Sequence, residues 1–116
     1  MIRMHEMPIV LNISRTVQEF AEENKVNDVK VVVVEIGELT GVMPKYVDNL
    51  WPVAVEGTML EKTALQIITV PGIARCLRCS TKYKAKDHNG ICPACGYNRR
   101  AILSGKDVLV KEIQVI

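Results

Sequence analysis

Four cysteines, Cys76, Cys79, Cys92 and Cys95, are the only ones in the chain, and they fall as two CxxC pairs separated by twelve residues. A tetrahedral divalent ion asks for four soft thiolates converging at about 2.3 Å, and one pair on each of two tight turns supplies them. In Cys92-Pro93-Ala94-Cys95-Gly96 the proline stiffens the turn and the glycine permits a left-handed conformation, so that backbone N–H groups can point at sulfur. Cys76-Leu77-Arg78-Cys79-Ser80 is the less stereotyped pair. Disulfides are the alternative use of four cysteines, but no basic segment followed by an apolar one opens the chain, so nothing points to an oxidising compartment. The spacing therefore predicts a structural Zn(II) site. Iron in a rubredoxin-like centre would use the same thiolates and would colour the protein, although the aromatic shielding that redox chemistry favours is thin here.

The second chemical feature is Met4-His5-Glu6-Met7-Pro8. His5 stands ahead of the first predicted helix, beside a carboxylate, and is one of two histidines in the chain. An imidazole near a terminus can form fused chelate rings with neighbouring deprotonated backbone nitrogens, a square-planar nitrogen field that suits Ni(II) or Cu(II). A solvated surface histidine is the competing reading of His5 taken alone. His88, between Asp87 and Asn89 in the arm joining the cysteine pairs, reads as a turn residue, because four thiolates already close a site. Met7, Met43 and Met59 read as core fillers rather than thioether ligands.

These residues must be positioned by a chain of 116 residues, enough for one modest core beside a metal-stapled module. From Pro8, the residues Ile9, Ile13, Val17, Phe20 and Ala21 share one face of a helix of about four turns. Val29 to Ile36 is β-branched on both faces and predicts a central strand. Pro44 starts a second helix carrying Tyr46, Val47, Leu50 and Trp51, with Trp51 packed between helix and sheet, and Pro52 is expected to break it. Ala64 to Val70 forms a second strand and Asp107 to Ile116 a third. The expected fold is α+β: two helices on a three-stranded mixed sheet, with a four-cysteine zinc-ribbon-like module inserted before the last strand. The α/β body takes residues 1–71 and 105–116 and the module residues 72–104, flanked on both sides by neighbouring strands of the sheet.

Net charge is +2, which argues against a generic nucleic-acid binder, but the charge is unevenly spread. Between Gly72 and Ser104 lie Arg75, Arg78, Lys82, Lys84, Lys86, Arg99 and Arg100 against Asp87 alone, while the remainder carries eight bases and twelve acids. Part of that excess can balance a thiolate centre that is itself negative. A basic face for an acidic partner protein is one reading and a zinc ribbon on nucleic acid is another; Tyr83 and Tyr97, the module's only aromatics, are too few for base stacking. No nucleophile paired with a base, no suggestively spaced carboxylates and no open zinc position speak for an enzyme, no GxxxxGK[ST] loop for nucleotide hydrolysis, and no apolar run is long enough to span a bilayer.

Met4-His5-Glu6 before a helix, Glu35-Ile36-Gly37-Glu38-Leu39-Thr40-Gly41-Val42 after a strand, Gly57-Thr58-Met59-Leu60-Glu61 before a strand, and the paired cysteines closely resemble the HypA/HybF family of hydrogenase maturation factors, in this order from Met4 to Ile116. The resemblance implies a cytoplasmic nickel metallochaperone, with a three-stranded sheet and two helices. It implies zinc on Cys76, Cys79, Cys92 and Cys95, and transient Ni(II) cargo at His5 with the backbone nitrogens of Met4 and Glu6. As partners it implies a nickel-binding GTPase and the large subunit of a nickel-iron hydrogenase. Here Met1-Ile2-Arg3 precede Met4, so the Met4 nitrogen is an amide, far less acidic than a free α-amine titrating near about 8. Three readings follow: the functional chain starts at Met4, the three residues are an extension, or His5 and Glu6 recruit another donor. An inserted unit on two short joints also leaves room for exchange between two protomers, and so for a homo-oligomer.

Overall fold

The computed structural model describes residues 6–115. The first helix, α1 (Glu6–Glu23), leads to β1 (Val29–Gly37), a single 3-10 turn (Glu38–Thr40), α2 (Pro44–Val55) and β2 (Ala64–Val70). There follow β3 (Ile73–Cys76), β4 (Lys82–Lys84), a second 3-10 turn (Lys86–His88), β5 (Arg100–Ser104) and β6 (Val108–Val115). The strands form a mixed three-stranded sheet of order β2-β1-β6 and a second sheet of order β4-β3-β5. Among the described residues no helix is long and apolar enough to cross a membrane.

Two compact units result, one built from the chain up to Glu35, Val42–Ile68 and Leu109 onward, the other from Ile36–Gly41 and Thr69–Val108. In the first, α1 buries Val10, Ile13, Val17 and Ala21, α2 buries Val47, Trp51 and Val55, and β1 contributes Val32, Val33 and Val34. Burial of β1 on both faces fits its central place and its β-branched run. Trp51 donates Nε1–H to the Thr63 carbonyl at 2.9 Å, and the Thr63 hydroxyl donates to Val29 O at 2.7 Å, so one buried threonine ties α2 to the start of β1. Full burial of each apolar side chain contributes roughly 1.5–3 kcal/mol, and the paired indole avoids the penalty of an orphaned donor.

Several expectations change. α1 starts at Glu6 rather than Pro8, and its buried stripe runs through Val10 while Phe20 stands 39% exposed. The first-turn N–H groups of a helix have no intrahelical acceptor, so Pro8 fits inside that turn as well as at its start. The expected break at Pro52 is absent: α2 runs through it to Val55. Pro52 and Asp48, whose carbonyl loses its donor, both lie on the exposed face, where water replaces the bond, while Val47, Trp51 and Val55 hold the opposite face in the core. The strands entering and leaving the cysteine region, β2 and β6, are not neighbours but lie on either side of β1. Met43 and Met59, expected in the core, are 43% and 40% exposed.

Within the second unit, the 3-10 turn after β1 forms a collar. Gly37 N donates to Asp107 O at 2.9 Å, Leu39 N to Gly105 O at 2.8 Å, and Gly72 N to the Glu38 carboxylate at 3.3 Å. The Leu39 side chain covers Gly72 and packs against the cluster of Ala74, Cys76, Tyr83, Ala85 and Cys92. Gly105 makes the closest crossing: its φ is +83°, and a Cβ there would stand 2.6 Å from Gly72 Cα and 2.7 Å from Pro71 O. Only glycine meets both demands.

Candidate metal centre

β3 ends at Cys76 because the chain turns there, and the turn repeats at Cys92. Cys76 N donates to Thr81 O at 2.9 Å and Ser80 N back to Cys76 O at 3.0 Å; Cys92 N donates to Tyr97 O at 3.0 Å and Gly96 N back to Cys92 O at 2.9 Å. The less stereotyped pair therefore has the same backbone as its partner. Ser80 takes the left-handed place, φ +63°, that Gly96 fills at φ +77°. Such a conformation costs a side-chain-bearing residue about 1 kcal/mol, which the knuckle bonds must offset.

The four sulfurs lie within 4.8 Å of one another, with Cys76 Sγ 3.6 Å from Cys95 Sγ and Cys79 Sγ 3.5 Å from Cys92 Sγ. All four cysteines are free, and the edge of a tetrahedron with sulfur–metal bonds of about 2.3 Å is about 3.8 Å, so the donor set fits a four-thiolate ion. Backbone donors reinforce it: Arg78 N and Cys79 N lie 3.4 and 3.5 Å from Cys76 Sγ. The N–H of Cys79, then that of Arg78, helps hold the Cys76 thiol below its ordinary value against the opposing effect of burial, whereas burial pushes the Cys92 thiol up. Thr81 Oγ1, 3.2 Å from Cys79 Sγ, can donate to the thiolate, and this hydroxyl is the main reason that thiol drops from 9.0 to about 6.

Arg78 completes the electrostatics. Its guanidinium donates to Cys95 O at 3.0 Å and lies 4.7 Å from the centroid of the Tyr97 ring, and the neighbouring Cys95 holds its pKa above the usual arginine value. The cation thus sits beside a centre that four thiolates leave negative even with a divalent ion bound. Residue type and spacing locate the cysteines, and Arg78 belongs to the basic excess expected to balance the thiolates, whereas Thr81 escapes sequence reasoning; its place just after the first pair is the only signal the sequence offers for it.

Acid releases such a metal because the freed sulfurs take up protons that the bound ones lack. Removing the Thr81 hydroxyl weakens the bound Cys79 thiolate, so protons compete better. In Thr81→Val the midpoint of release, followed with a chromogenic chelator across pH, is expected to rise by about 0.3, one hydrogen bond spread over several protons. An unchanged or lower midpoint would contradict this role.

The other candidate residues lie elsewhere. Met4 and His5 are outside the described residues. Glu6 opens α1, fully buried, with its carboxylate accepting from Met43 N at 3.2 Å. His88 ends the second 3-10 turn with its ring edge-on to Tyr83, centroids 5.9 Å apart, and is not among the clustered metal donors. The two module aromatics are committed: Tyr83 is buried with its hydroxyl donating to Gly90 O at 3.0 Å, and Tyr97 lies against Arg78. A base-stacking platform has no ring left in the module.

A small α+β protein in which a four-cysteine metal module is threaded between two strands of the sheet is the class that this architecture and donor set define. The family described as "Hydrogenase/urease nickel incorporation, metallochaperone, hypA" matches residues 4–115. Proteins named hydrogenase maturation factor HypA from Trichodesmium erythraeum and Geobacter sulfurreducens are each 36% identical over 112 residues, covering 97% of this chain and 96% and 99% of theirs. The solution structure of the Ni metallochaperone HypA from Helicobacter pylori superimposes with TM-score 0.70 at 24% identity, covering 96% of this chain and 97% of that one. A second HypA solution structure reaches 0.73 at 22% identity and 98% of both chains. The chain belongs to the HypA family of nickel-incorporation metallochaperones, a family of metal carriers and not of enzymes.

Proposed function

We propose that this protein binds one Ni(II) at Met4-His5-Glu6 and hands it on, in the cytoplasm, to the large subunit of a nickel-iron hydrogenase with the help of a nickel-binding GTPase, while Zn(II) on Cys76, Cys79, Cys92 and Cys95 maintains the module. The observation that carries this reading is that the nickel-incorporation family match opens on Met4, the first residue of the motif that can chelate Ni(II) through imidazole and backbone nitrogens. A delivery site needs a ligand set that can rearrange when a partner takes the ion, and backbone nitrogens with one imidazole make such a set. The N–H groups of a helix's first turn point out of its end, the direction a backbone-nitrogen ligand at Glu6 requires, while Oε2 of the buried Glu6 carboxylate accepts from Met43 N. The thiolate site has the opposite character: closed, soft and integral to the unit around it.

Nickel titration of the chain, of a version beginning at Met4 and of His5→Ala, with zinc quantified in parallel, tests the reading. The expected outcome is one equivalent of nickel bound tightly, more tightly when the Met4 amine is free, and at least about 100-fold more weakly in His5→Ala with zinc content unchanged. Nickel binding indifferent to His5 would sink it.

A further inference from the structure

The register of β3 against β4 sorts their side chains onto two faces. Ala74 pairs with Tyr83, both buried, on the inner face; Arg75 pairs with Lys82 and Ile73 with Lys84 on the outer one. On the other side β3 meets β5, where Arg75 faces Ala101. Lysine on a short edge strand is the usual guard against stray pairing, which accounts for Lys82 and Lys84 on β4. It does not account for Arg75, which lies on the central strand directly opposite a like charge, an arrangement that destabilises a sheet. From Gly72 to Ser104 the only acid is Asp87.

We propose that this outer face, with Arg75, Lys82 and Lys84 around Ile73 and Ala101, is a docking surface for a short acidic protein segment bearing an apolar side chain. Charge complementarity identifies the partner's sign, and the half-buried Ile73 and Ala101 between the cations provide the apolar seat. A protein segment is favoured over nucleic acid because Tyr83 and Tyr97 are already committed and because the rest of the chain, twelve acids against eight bases, repels a long phosphate backbone. The inference stands apart from nickel binding, and its test contains no nickel.

The probe is a fluorescein-labelled peptide of Glu-Glu-Leu repeats, about twelve residues long, titrated with the zinc-loaded full chain at about 50 mM salt and read by anisotropy, with a labelled DNA duplex of equal charge as comparator. Lys82→Gln/Lys84→Gln is expected to weaken peptide binding about tenfold, whereas Lys30→Gln/Lys62→Gln, which removes as much charge from the first unit, changes it less than about twofold. The duplex is expected to bind more weakly than the peptide. Equal peptide affinity in the Lys82/Lys84 variant, an equal loss in the control pair, or a duplex that binds more tightly than the peptide would each overturn the proposal. Zinc content reports folding, and if the double variant loses zinc, Arg75→Gln decides by the same criteria.

Discussion

A Cys92→Ser chain purified from zinc-replete medium is expected to carry less than about a tenth of an equivalent of zinc and to lose amide dispersion throughout the second unit, while the resonances of α1 and α2 stay where they were. The reason is the composition of that unit's interior. Apart from Ile36 at the end of β1, its buried apolar residues are Cys76, Cys92, two alanines and Tyr83, with Leu39, Cys95, Tyr97 and Ile102 packed around that cluster. Apolar burial on that scale does not offset the ordering entropy of about forty residues, so the ion's binding free energy, about 10–16 kcal/mol in zinc-finger peptides, must do so. Serine is close in shape but removes a soft thiolate at a position 2% exposed, and its hydroxyl is a much poorer ligand for the ion. The first unit has its own core in α1, α2 and β1 and contains none of the four cysteines. Metal analysis together with an amide correlation spectrum checks both halves; a folded second unit without metal would refute the argument.

Gly105→Ala is expected to cost about 3 kcal/mol or more in urea unfolding of the zinc-loaded chain. Two effects add: the left-handed φ of +83° costs a Cβ-bearing residue about 1 kcal/mol, and the new methyl group collides with Gly72 and Pro71. The atoms it meets are backbone, which cannot swing aside as a side-chain end can. Gly41→Ala supplies the contrast, because its φ is +77° but nothing lies within 4 Å of the added Cβ. It should cost only the conformational part, about 1 kcal/mol. Similar costs at the two positions would mean that the close crossing at Gly105 relaxes freely.

Much of the metal site was legible because thiolate spacing is local: two turns of four residues can be read without knowing anything about the rest of the chain. The sheet was legible where hydrophobicity was unbroken, and Ala64–Val70 has the ends expected for it. The phase of α1 was not, since Ile9, Val10 and Leu11 stand side by side and the pattern alone cannot choose which of them faces inward. In the structure Val10 is fully buried and Leu11 is 48% exposed. The second sheet escaped because its strands are only three to five residues long and carry Arg75, Lys82, Lys84 and Arg100, so charge hid the two-residue alternation. Thr81 owes its role to proximity to the Cys79 sulfur and Arg78 its place to the Cys95 carbonyl, neither of which a spacing rule encodes. The collar was beyond reach for the same reason, joining Gly37 and Leu39 to Asp107 and Gly105 across most of the chain.

That last contact sets an order of events during synthesis. The cysteine turns lie close together in the chain and can capture an ion as soon as Cys95 has left the ribosome. The amides of Gly37 and Leu39, made long before, must wait for their acceptors until the carbonyls of Asp107 and Gly105 follow. Closing so wide a loop is slow compared with forming a knuckle. A nascent chain arrested short of Gly105 would hold metal yet leave the turn after β1 without these two backbone ties. Gly105 and Asp107 then close the collar around metal that the chain already holds.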